Sequence, residues 1–184
     1  MPIYLETIPD KNLYERGLVG QYWTGIPVRA TANTAVAANV LRGRVIFVPQ
    51  TMTFDTIAVY VATGHAEKNA YLGVYNLDNN LAITTLVKDY GTVSVASSTT
   101  LAVITADLQL SRGYYLAALL TDGTPTLGFV SAAFSPLGFE TSGYWQSTGC
   151  TVNQAYGALP DPFTAGYVLE RDEPALMLKI KSYP

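Results

Sequence analysis

The sequence predicts an all-β protein, an antiparallel β-sandwich of the jelly-roll type that carries an extended N-terminal arm. Short segments rich in β-branched and aromatic residues alternate in side-chain character, with a period of two residues. Turn-forming residues separate them about every 10–15 residues, and no amphipathic helix of useful length intervenes. We therefore expect an arm over residues 1–25 and a single sandwich domain over residues 26–184.

The alternation is clearest in residues 54–62 and 71–76. In the first segment Ile57, Val59 and Val61 fall on one face, and the opposite face also carries a large side chain. The second segment alternates in the same way. We expect a pair of central strands, joined as a hairpin and covered on both faces, which requires a second layer.

The other strands follow from the same pattern. The link over residues 26–38 ends in an edge strand, Pro49 ends the next strand, and a strong turn at residues 122–125 joins two strands as a hairpin. Residues 107–113 are expected to form a connector. The remaining predicted strands are residues 40–48, 86–93, 101–105, 114–121, 126–132 and 175–183.

Residues 134–163 differ from the rest because they are rich in Gly, Ser, Pro and aromatic residues and do not alternate. A long irregular loop in a compact domain is often functional. Its candidate residues are Tyr144, Trp145 and Tyr156, whose rings suit stacking on sugars or a protein interface. The alternative is that these rings cap one end of the sandwich core.

The arm, residues 1–25, combines Pro, Gly and mixed charges with several large apolar side chains. A disordered tail is one interpretation. Disordered segments are usually poor in aromatic residues, however, so we favour an arm that docks on a partner. The candidate partner-binding residues are Ile3, Tyr4, Leu5, Leu13, Tyr14, Tyr22 and Trp23.

Composition argues against several classes of protein. Charged residues make up only 14% of the 184 residues and the net charge is −3. Lys and Arg do not cluster, which disfavours nucleic acid and an electrostatically bound membrane surface as partners. A single cysteine excludes an intrachain disulfide, and the N-terminus lacks the features of a secretory signal, so we expect synthesis in a cytoplasm.

No residue pattern indicates catalysis, a cofactor or a metal. His65 is the only histidine, and a lone loop histidine is usually solvated. Residues 78–80 are expected to form a turn, because the calcium-loop pattern fails after them. The acidic run at 170–173 is expected to be solvated, and Cys150, without a basic neighbour, is expected to be an inert thiol. We therefore expect a protein that is not an enzyme.

Several stretches, taken in order, resemble a β-sandwich module common in virion proteins of tailed bacteriophages. The resemblance covers roughly residues 40–182. It rests on residues 45–49 (VIFVP), 53–61 (TFDTIAVYV), 71–76 (YLGVYN), 108–117 (LQLSRGYYLA) and 159–163 (LPDPF).

This resemblance implies a non-enzymatic virion protein found on heads, baseplates or tail fibres. Many similar modules end a longer fibrous stalk, whereas this chain carries only a short arm. That difference favours a head decoration, or cement, subunit, a homotrimer whose arm clamps neighbouring major capsid proteins. The alternative is a tail-fibre module that binds host surface glycans.

Overall fold

The computed structural model describes residues 19–23, 32–131, 149–170 and 172–184. Within these ranges the chain forms thirteen strands and no helix. The strands are β1 (Tyr22–Trp23), β2 (Ala32–Ala35), β3 (Val40–Val48), β4 (Met52–Thr63), β5 (Asn69–Leu77), β6 (Ile83–Ser94), β7 (Thr100–Leu110), β8 (Gly113–Thr121), β9 (Thr126–Ser131), β10 (Gly149–Asn153), β11 (Val168–Glu170), β12 (Asp172–Pro174) and β13 (Leu176–Ser182).

The strands form two antiparallel sheets that pack against each other. Sheet A has the order β1-β13-β4-β9-β12, with β7 on the other side of β4 and β2 paired with β9. Sheet B has the order β11-β10-β3-β8-β5-β6. The predicted jelly-roll-like β-sandwich is therefore confirmed.

Two predicted hairpins are wrong, although their strands exist. Strand β4 lies in sheet A and β5 in sheet B, so they face each other across the core instead of pairing. Strands β8 and β9 likewise lie in different sheets, and the turn at residues 122–125 carries the chain between them. A period of two residues fixes which face of a strand is buried, but not which strand pairs with it.

Strand boundaries agree closely for β3 and differ for β7. Strand β3 spans the predicted residues 40–48. Strand β7 continues through the predicted connector to Leu110, because Leu108 and Leu110 are buried and lie opposite Phe54 and Met52 of β4. Burial of these apolar side chains extends the strand beyond the short β-branched stretch visible in the sequence.

The main core lies between the two sheets. Strand β4 contributes Ile57, Val59 and Val61, as its alternation predicts, and β5 contributes Leu72 and Val74. Each of these side chains is fully buried.

A second core covers the outer face of sheet B. Residues 154–167, between β10 and β11, fold back over this face as a cover layer. The Tyr75 hydroxyl donates to the Pro160 carbonyl oxygen over 2.7 Å, and the Phe163 ring meets the Tyr75 ring edge-on, with centroids 5.0 Å apart. The Phe163 N–H also donates to the Thr84 carbonyl oxygen. Sheet B is therefore enclosed on both faces.

Strand β10 corrects the expectation of an irregular loop over residues 134–163, whereas residues 154–163 form neither strand nor helix, as expected. The described part of that stretch begins with β10, which pairs with β3. It continues as the cover layer, where Leu159 packs directly over Gly73 of β5. The segment lacks alternation because its apolar side chains dock on a sheet face without joining a strand ladder.

Candidate functional site

Residues 19–23, the described part of the predicted arm, are fastened to the edge of sheet A and are called the arm base. The Gly20 N–H donates to the Ile180 carbonyl oxygen over 2.7 Å, and the Ile180 N–H donates to the Gln21 carbonyl oxygen over 3.0 Å. The indole N–H of Trp23 donates to the Phe47 carbonyl oxygen over 2.9 Å, which joins the arm base to sheet B as well. The chain therefore departs from a fixed point next to β13.

The two arm candidates that the structure describes, Tyr22 and Trp23, differ in burial. Trp23 is half-buried against the main core, so its side chain anchors the arm base within this molecule. Tyr22, which pairs with Lys179, remains exposed and available to a partner. The other arm candidates, Ile3, Tyr4, Leu5, Leu13 and Tyr14, lie outside the described residues.

Tyr156 belongs to the cover layer. Its ring packs against Tyr71 of β5 with centroids 5.3 Å apart, and its N–H donates to the Asn39 side-chain oxygen over 2.9 Å. Burial, together with the charge of Asp122, raises the pKa of Tyr156. The ring thus packs on the outer face of sheet B, while Tyr144 and Trp145 lie outside the described residues.

An open cleft of about 500 Å³ lies where the β5–β6 turn meets the start of β8. Its volume falls within the range of about 300–1,000 Å³ that is usual for small-molecule sites. Its lining includes Asn76, Asp78 and Asn79, from the end of β5 and the turn after it, together with Arg112, just before β8, and Tyr114, in β8. The cleft therefore combines hydrogen-bonding groups, a cation and an aromatic ring.

The cleft is supported by fixed contacts. The Asp78 carboxylate accepts hydrogen bonds from the Asn80 and Ala82 N–H groups, which confirms the predicted turn and holds the carboxylate in place. The Tyr114 ring packs against Phe47 with centroids 4.9 Å apart. Arg112 has no ion pair or hydrogen bond within the part of the chain that the structure describes. Its guanidinium group is available to a ligand.

A buried ionic cluster lies between the sheets at the β12 end. Glu173 is 0% exposed and Arg44 is 1% exposed. The Glu173 carboxylate lies 3.7 Å from the guanidinium of Arg42. Burial lowers the pKa of Arg44 to about 10, while the negative charge of Glu173 acts to raise it. We assign this cluster a structural role, since it is closed to solvent.

The expectation that the acidic run is solvated is wrong for Glu173, whereas Glu170 is exposed as expected. The sequence feature that indicates a buried carboxylate is the spacing of Arg42 and Arg44, which places both on the same face of β3. That face points into the sandwich, so the two cations require a buried carboxylate nearby.

His65 makes a contact between two loops, and Cys150 is enclosed in a core. The Thr124 N–H donates to Nδ1 of His65 over 3.0 Å, so His65 joins its own loop to the turn after β8. Cys150 is fully buried, and burial together with the Glu173 charge raises the pKa of its thiol. A buried thiol with a raised pKa is a poor nucleophile.

No protein-family model matches the chain, and no curated protein matches it. Among the described residues there is no group of His, Cys, Asp and Glu side chains able to hold a metal ion. The same residues contain no helix long and apolar enough to cross a membrane.

Proposed function

We propose that this protein is a non-enzymatic virion component, a decoration subunit whose N-terminal arm clamps neighbouring major capsid proteins. The observation that carries this proposal is the fastened arm base. Two backbone hydrogen bonds to Ile180 and the indole bond of Trp23 hold residues 20–23 at the edge of the sandwich. A segment held at its base loses less conformational freedom on binding than a free tail.

The arm supplies the contact and the sandwich supplies a rigid support. Each large apolar side chain of the arm that becomes buried contributes about 1.5–3 kcal/mol before ordering costs are subtracted. The five upstream candidates together provide enough apolar surface for tight association with a capsid. The sandwich has two packed cores, so it stays folded outside the capsid shell and keeps its fold when the arm is deleted.

Deleting residues 2–18 tests the arm, since β1 and its contacts remain. We expect the truncated protein to keep its fold and to lose co-sedimentation with purified capsids that lack the protein.

Ile3→Ala/Tyr4→Ala/Leu5→Ala should weaken binding strongly, because it removes apolar contacts. The matched control, Glu6→Ala/Asp10→Ala/Lys11→Ala, changes polar residues of the same arm and should bind nearly as well. Undiminished binding of the truncated protein would contradict the proposal.

The second candidate is a module that binds host surface glycans, and the cleft favours it. Arg112 and Asn79 can hydrogen-bond sugar hydroxyls, and the Tyr114 ring offers an apolar face of the kind that packs on a pyranose ring. This site differs from the platform expected from Tyr144, Trp145 and Tyr156.

A glycan array probes this candidate with the variants Arg112→Ala and Tyr114→Ala. We expect each to reduce binding of a positive glycan by about tenfold or more, the loss of one well-placed contact. Tyr22→Ala is the matched control, because Tyr22 is 36% exposed and Tyr114 is 39% exposed, yet Tyr22 lies on the edge of sheet A. An array with no positive glycan refutes this candidate, and binding that survives both cleft variants places the site elsewhere.

A further inference from the structure

Strand β7 presents a long free edge. It pairs with β4 from Thr100 to Leu110, and no other described strand pairs with it. Within the described residues its outer edge therefore carries a row of backbone N–H and C=O groups that pair with no strand, a template for pairing with another strand.

The features that usually block such pairing occur on β6 and are nearly absent from β7. Strand β6, the edge of sheet B, has three register irregularities, a glycine with positive φ at Gly91, and the charges of Lys88 and Asp89. Strand β7 has one irregularity, no proline and a single charge, Asp107, which is paired with Lys181. Charges, bulges and prolines are the devices that protect natural edge strands.

The outward face of β7 is apolar where the edge is open. Leu101 is 36% exposed and Val103 is 39% exposed. Leu101 lies opposite Tyr60 of β4, and Val103 lies opposite Ala58, which lies opposite Met177 of β13. This apolar row crosses three strands and ends at the free edge.

We infer that β7 pairs with β7 of a second copy of this chain, antiparallel, with the two-fold axis at Val103. In this register residues 100–106 of the two copies overlap, so Leu101 lies opposite Thr105 and Val103 lies opposite itself. We choose this register because the overlap of residues 100–106 is the longest one that keeps the carboxylate of Asp107 outside the paired segment. Moving the axis one residue on, to Ile104, places that carboxylate opposite Leu101. The inference does not depend on a capsid or glycan role.

The pairing joins the two copies of sheet A into one continuous sheet. An interface of this kind is isologous and closes after two copies. It therefore differs from the homotrimer that the resemblance implies, and the mass in solution distinguishes the two assemblies.

Sedimentation velocity over a concentration series tests the inference. We expect a dimer for the unaltered chain and an increase in its dissociation constant of about tenfold or more for Val103→Lys, because like charges directly opposite each other disfavour strand pairing. Gln109→Lys is the matched control: it adds the same charge to the same face of the same strand, outside the paired segment. A monomer at every concentration, a trimer, or a dimer unaffected by Val103→Lys would overturn the inference.

Oxidative cross-linking tests the register. Directly opposed residues of antiparallel strands have Cα atoms about 4.5–5.5 Å apart, within the range of about 4.4–6.8 Å that a disulfide spans. We expect Val103→Cys to form covalent dimers and Gln109→Cys to form none, while the buried native Cys150 stays silent. Cross-linking of Gln109→Cys without Val103→Cys would contradict the register.

Discussion

Glu173→Leu should lower the free energy of unfolding by about 3–5 kcal/mol, the usual effect of removing one partner of a buried ion pair. The substitution leaves the guanidinium groups of Arg42 and Arg44 without their nearby negative charge. Two Arg44 nitrogens already lack a hydrogen-bond partner among the described residues, so no other described group compensates. Urea denaturation followed by tryptophan fluorescence measures the loss.

Two further variants show whether the effect comes from the charge. Arg42→Met/Arg44→Met/Glu173→Leu replaces all three ions of the cluster by apolar side chains and should recover most of the lost stability. Glu170→Leu removes an exposed carboxylate from the neighbouring strand and should change stability by less than about 0.5 kcal/mol. A triple variant as unstable as Glu173→Leu would show that packing, and not charge, dominates at this position.

Phe163→Ala should lower the free energy of unfolding by about 3 kcal/mol, the lower end of the range for large core aromatics. The ring lies in the second core, between the Tyr75 ring and the Tyr167 ring. The cover layer can relax toward the cavity more easily than a paired strand, which keeps the loss at the lower end of that range. Thermal and urea denaturation measure it.

Tyr167→Ala is the comparison for this variant. Tyr167 touches the same cluster but is only half-buried, so its removal should be less destabilising. If Phe163→Ala unfolds at the same urea concentration as the unaltered protein, the cover layer does not contribute to the stability of sheet B.

The sequence predicts the strands better than their arrangement. Alternation in residues 54–62 correctly places Ile57, Val59 and Val61 in the core, because face and periodicity are local properties. It cannot show that β4 and β5 lie in opposite sheets, because a strand's partner depends on contacts between segments far apart in the chain. The two predicted hairpins fail for this reason.

The local sequence pattern also fails to predict the buried ionic cluster and the cover layer. Glu173 stands in an acidic run of the kind found in solvated loops, and its partners Arg42 and Arg44 lie about 130 residues earlier in the chain. Hydrophobic periodicity likewise does not predict the cover layer, because Leu159 and Phe163 contact sheet B as separate side chains and belong to no alternating segment. Of the arm predicted over residues 1–25, the structure describes residues 19–23 and adds the contact that holds Trp23 against sheet B.

The unequal covering of the two sheets affects how the molecule opens locally. Strand β8 lies between β3 and β5 in sheet B, with the main core on one face and the cover layer on the other. Among the described residues, sheet A has a core on one face only, and in the monomer β7 ends this sheet with an unpaired edge. Because local opening starts where few buried contacts must break, fluctuations of the native state of the monomer begin at the β7 edge. The backbone amides of β8 exchange with solvent last, when the whole molecule unfolds.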